Sequence, residues 1–66
     1  MTITLNGKER TVAEGATVTD LLRELGQDRD GIAVAVGMQV VPRTEHPTHV
    51  LAPGDRVEVI RAVGGG

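Results

Sequence analysis

The last six residues, Arg61-Ala62-Val63-Gly64-Gly65-Gly66, place the chemistry of this chain at its end rather than on a side chain. Glycine packs poorly and loses more conformational freedom on ordering than any other residue. Three glycines after the β-like run Val57-Glu58-Val59-Ile60-Arg61 therefore add nothing to a core. What they permit is entry into a slot too narrow for any side chain. That slot is expected in the active site of another protein. In that case the reacting group is expected to be the α-carboxylate of Gly66, with Gly64 and Gly65 as the segment that threads. The plain alternative is a frayed terminus.

Composition narrows the other possibilities. The 66 residues contain no cysteine, so neither a disulfide nor a thiolate metal site supports the fold, and any sulfur the protein handles cannot ride on its own thiol. Phe, Tyr and Trp are absent, which removes base stacking on aromatic rings. The net charge of -2, with scattered basic residues, argues against a nucleic-acid partner. No run is long and apolar enough to span a membrane and no leader is visible, so a cytoplasmic chain, monomeric when free, is expected. Serine is also absent, and no nucleophile–base–orienter set or metal-ligand spacing is visible. Autonomous catalysis is not expected, nor is a cofactor bound by this chain. His46 and His49 read as solvent-exposed loop residues.

The elements that must position the end follow from periodicity. Thr2 to Asn6 alternates polar and apolar, as a half-buried strand does, and Asn6-Gly7 is a strong hairpin signal. Lys8 to Val12 reads as the returning edge strand. Thr17 is suited to cap a helix, with Asp20 three residues on, and Val18, Leu21, Leu22 and Leu25 form one apolar stripe. Gly26 is placed to end that helix. Ile32 to Val36 reads as a central strand, turned by Gly37-Met38 into Gln39 to Val41, where Pro42 closes it. Arg43 to Pro47 is irregular, with room for one helical turn, and His49 to Leu51 is a short extended piece. Pro53-Gly54-Asp55 turns into a last strand over Arg56 to Ala62. The class is α+β: a mixed sheet of four to five strands with one helix across one face. The first and last strands are expected side by side in its centre. The domain covers residues 1–63 and a flexible glycine tail covers 64–66.

This order resembles the ubiquitin-like β-grasp fold, and the chain is similar to the ThiS family of sulfur carriers over essentially its whole length. The resemblance is carried by Asn6-Gly7, by Gly15 to Leu22, by Val34 to Val36 and by Val40-Val41-Pro42-Arg43. Leu51, Gly54 to Val59 and the Ala62-Val63 that precede the glycines complete it. Two departures are visible: the family usually has Asn-Gly where this chain has Gly37-Met38, and often an aromatic residue near His46. The resemblance implies that an E1-like, ThiF-like adenylating enzyme uses ATP and magnesium to form an acyl-adenylate on Gly66. Sulfur from a donor such as a cysteine desulfurase then displaces AMP. The resulting thiocarboxylate passes its sulfur to a ThiG-like thiazole synthase in thiamine biosynthesis.

Ala33, Ala35, Ile60 and Ala62 are expected on the sheet face away from the helix, and with Val63 they form the expected docking face for these partners. A flat, small apolar face is cheap to desolvate. The rival readings are a sulfur carrier for molybdopterin synthesis or tRNA thiolation, a modifier conjugated to lysines, and a non-covalent β-grasp interaction module.

Overall fold

A computed structural model describes residues 1–61. Five strands and one α-helix follow the chain as β1 (Thr2–Leu5), β2 (Lys8–Thr11), α1 (Val18–Glu24), β3 (Ile32–Val36), β4 (Gln39–Val41) and β5 (Arg56–Arg61), with one 3-10 turn at Arg43–Glu45. The sheet order is β2-β1-β5-β3-β4. β1 and β5 are parallel neighbours in the middle, and β2 and β4 form the edges. The other pairs, β1–β2, β3–β4 and β3–β5, are antiparallel.

Both hairpins use mirror-image turns, which match the twist of the strands they join. Asn6 (φ 48°) and Gly7 (φ 83°) form the first. Gly37 (φ 58°) and Met38 (φ 70°) form the second, so the departure from Asn-Gly preserves left-handed backbone at both central positions. It does so by holding a methionine where asparagine or glycine is at ease.

The helix begins as its sequence requires. Thr17 Oγ1 accepts from the Asp20 N–H at 3.1 Å, and the Asp20 carboxylate accepts from the Thr17 N–H at 3.0 Å. This reciprocal box satisfies two donors that the first turn leaves unpaired. At the other end Leu25 is the C-cap and Gly26 follows it with φ 70°. The Thr17 backbone N–H, then the Thr17 side chain, hold the Asp20 carboxyl below its ordinary pKa. A depressed folded-state pKa contributes stability above the unfolded-state value and loses it as pH falls through the folded one. Asp20→Asn is therefore expected to flatten the acid limb of a stability–pH curve, read as urea midpoints. An unchanged acid limb would show that the cap carries no linked proton.

The core lies between α1 and one face of the sheet. Val18, Leu21 and Leu22 of the helix meet Ile3, Ile32, Val34 and Val57, with Val12, Ala16 and Leu51 closing the sides. Leu5, Leu25, Val36 and Val59 pack at its margin. Leu51 is buried and Val50 exposed, and the expected extended piece there reduces to one isolated bridge between Thr17 and Val50. The last strand is described to Arg61. Ala62, the proposed boundary at residue 63 and the glycine tail lie outside the described residues.

Candidate functional site

β5 carries the chain toward residues 62–66, and it lies between β1 and β3 in the middle of the sheet. On one side it pairs with β3 along its length, from Val36 opposite Val57 to Ile32 opposite Arg61. On the other side its register with β1 is short: Thr4 opposite Arg56 and Leu5 opposite Val57. The Thr4 and Asn6 N–H groups donate to the Asp55 and Val57 carbonyls, both at 2.9 Å. Beyond that point β1 has turned away. The Asn6 side chain continues the pairing: the Val59 N–H donates to Asn6 Oδ1 at 2.9 Å, and Asn6 Nδ2 donates to the Val59 carbonyl at 3.4 Å.

The sheet face away from the helix contains the described residues expected to dock. Ala33 stands opposite Ile60 across the β3–β5 ladder, and residues directly opposite share a face. Ile60 is 52% exposed, and Ala33 and Ala35 are half-buried. Val40 of β4 stands opposite Ala35 and is 73% exposed, extending the apolar surface toward the sheet edge. Sequence reasoning missed Val40, although the hairpin register about Gly37-Met38 pairs it with Ala35. Glu58, also opposite Ala35 and exposed, gives the same face a negative charge. Ala62, Val63, Gly64, Gly65 and Gly66 lie outside the described residues.

The expectation for His46 is corrected. It is not a solvent-exposed loop residue but 5% exposed, with Nε2 3.1 Å from the Val41 carbonyl. A carbonyl only accepts, so this bond forms when Nε2 carries the proton. The His46 carbonyl in turn accepts from the Thr19 N–H at 3.1 Å, tying the 3-10 turn to the helix. The ring thus fills an interior position and anchors β4 to α1. His49 is half-buried. Among the described residues no group of three or more His, Cys, Asp or Glu side chains is placed to hold a metal ion. Nor is any helix among them long and apolar enough to cross a membrane.

A mixed five-stranded sheet, one helix crossing one face, and a central last strand leading into a glycine segment define a ubiquitin-like β-grasp domain. Comparison with known proteins takes the assignment further. The chain belongs to the ThiS family, whose model matches residues 3–66. It is 35% identical to the sulfur carrier protein ThiS of Escherichia coli over 66 residues, covering all of both chains. It also resembles the thiazole synthase of Paramagnetospirillum magneticum, at 35% identity over 66 residues, but there it spans 20% of that protein's length. The crystal structure of the thiamine biosynthesis protein ThiS from Geobacter metallireducens superposes with a TM-score of 0.86, at 35% identity and full coverage of both chains. The relatives matched over their full or nearly full length are named as sulfur carriers, which are small carrier proteins rather than enzymes.

Proposed function

We propose that this protein is the sulfur carrier for thiazole formation in thiamine biosynthesis, and that Gly66 ends the chain and carries the sulfur. The observation that supports this best is the run from the central strand β5 into three glycines, in a family whose Escherichia coli member is a sulfur carrier of the same extent. In this reading a carboxylate oxygen of Gly66 attacks the α-phosphorus of ATP in the site of a ThiF-like adenylating enzyme, and pyrophosphate leaves. ATP and magnesium belong to that enzyme. A persulfide, supplied from a donor such as a cysteine desulfurase, then attacks the carbonyl carbon and expels AMP, leaving an acyl disulfide. A second thiol attacks the donor's sulfur in that bond, forms a new disulfide with it and releases the thiocarboxylate. Sulfur is more polarizable than oxygen, so the thiocarboxylate is the better nucleophile when a thiazole synthase takes its sulfur. That the same domain matches part of two thiazole synthases supports the thiamine branch and this partner.

The deciding experiment is an intact mass after incubation with the activating enzyme, ATP and a sulfur donor. A rise equal to one oxygen replaced by one sulfur, mapped to Gly66, is expected. No rise with a demonstrably active enzyme would overturn the reading.

The docking face belongs to the same proposal. Ile60, Ala33 and Ala35, with Ala62 and Val63, are the surface offered to each partner in turn, joined by Val40. Ile60→Asp puts a carboxylate at its centre, beside Glu58. Affinity for the adenylating enzyme, read by calorimetry, is expected to fall about tenfold or more, because an unpaired charge must then be desolvated. Unchanged affinity would remove Ile60 from the interface.

A further inference from the structure

We infer that Asn6 is a positioning residue for the carrier's reaction: its side-chain amide holds β5 at Val59 and so fixes the base from which the glycine segment is presented. The inference rests on the proposed role of Gly66.

The geometry behind it is a gap in the sheet. β5 extends four residues past its last β1 partner, Val57, because β1 ends at Leu5 and the chain reverses through Asn6 and Gly7. Val59 therefore turns its N–H and C=O toward a place where no strand continues. The Asn6 amide occupies that place and meets both groups, as a strand backbone would, across 53 positions of sequence. Without it, the end of β5 is held, among the described residues, from the β3 side.

Presentation of a terminal carboxylate depends on that anchor. A fully extended stretch from Ile60 to Gly66 spans at most roughly 25 Å. Where its base sits therefore decides which sites its far end can reach. Ile60, the exposed residue of the docking face, is the next residue after Val59. Holding Val59 therefore orients the docking surface and the base of the tail together before a partner arrives. Order established before binding is order that binding need not supply.

Asn6→Gly is the direct test. Asn6 sits at φ 48°, which glycine adopts freely, so the substitution removes the amide and leaves the turn. In the adenylation assay the KM for this protein is expected to rise roughly three- to tenfold, as for the loss of one or two hydrogen bonds, with kcat within about twofold. Asn6→Asp keeps the oxygen that accepts from the Val59 N–H and tolerates positive φ, but sets a second acceptor against the Val59 carbonyl, and is expected to recover only part of the loss. The Val59 amide is expected to exchange hydrogen more slowly than exposed loop amides in the wild-type protein, and faster in Asn6→Gly.

Three results would overturn the inference. One is an unchanged KM in a folded Asn6→Gly whose Val59 amide exchanges faster. Another is an Asn6→Gly variant whose KM rises while its Val59 amide exchanges as in the wild type. The third is a wild-type Val59 amide that exchanges like an exposed loop, a measurement that stands even if Asn6→Gly does not fold. Failure of the carrier reading looks different: the wild-type protein is then not adenylated at all, and the inference falls with it.

Discussion

Deleting Gly66 is expected to abolish thiocarboxylate formation while leaving the folded domain unchanged. The two halves of this result have separate causes. Among the described residues, the buried core runs from Ile3 to Val57, well short of the last residue. The melting midpoint and the dispersion of amide resonances are expected to match those of the full chain. Chemistry is another matter. The shortened chain still ends in a carboxylate, now on Gly65, but that group is set back by one residue, about 3.5 Å along an extended backbone. Misplacing a reacting atom by about 1 Å can cost on the order of a hundredfold in rate. A displacement several times larger is expected to leave no adenylate detectable by intact mass. Adenylation of the shortened chain at the full-length rate would show that the terminal carboxylate of Gly66 is not the reacting group. A loss of folding along with activity would instead assign the glycine segment a structural role.

The second large effect is on stability. Leu21→Ala is expected to cost roughly 2–5 kcal/mol, the range for truncating a buried leucine. Leu21 is fully buried and sits at the middle of the helical stripe, facing the sheet. A domain of this size has only about 3–10 kcal/mol to lose, at the usual 0.05–0.15 kcal/mol per residue. The hydrophobic cluster around it is also aliphatic, with no Phe, Tyr or Trp to collapse into the space. A large fraction of the variant is therefore expected to be unfolded at physiological temperature. Urea titration followed by far-UV circular dichroism measures it. A loss below about 1 kcal/mol would mean that the helix repacks over the sheet and that the stripe is less closely fitted than its burial implies. Ile60→Asp, an exposed change, is expected to stay within about 0.5 kcal/mol on the same titration.

Much of this protein was determined locally and was legible in sequence order. Thr17 and Asp20 specify a helix start because a capping box needs only residues three apart. Val18, Leu21 and Leu22 announce a buried stripe because the helical period is fixed. Asn6-Gly7 announces a reversal because its mirror-image turn needs left-handed backbone. Alternation along Ile32 to Val36 separates the core side from the alanine side. The glycine segment is likewise a property of the sequence alone.

Tertiary structure decided what depends on residues far apart in the chain. His46 looked like a polar residue in a polar loop. Its burial follows from where the 3-10 turn lands, against α1 and beside the Val41 carbonyl, which no local pattern records. Val40 joins the proposed docking face because β3 and β4 pair in one particular register. The Asn6 clamp on Val59 requires β1 and β5 to lie side by side in parallel, with β1 the shorter at that end. Local propensity acts over a few residues, whereas such contacts exist only once the sheet has closed around its last strand.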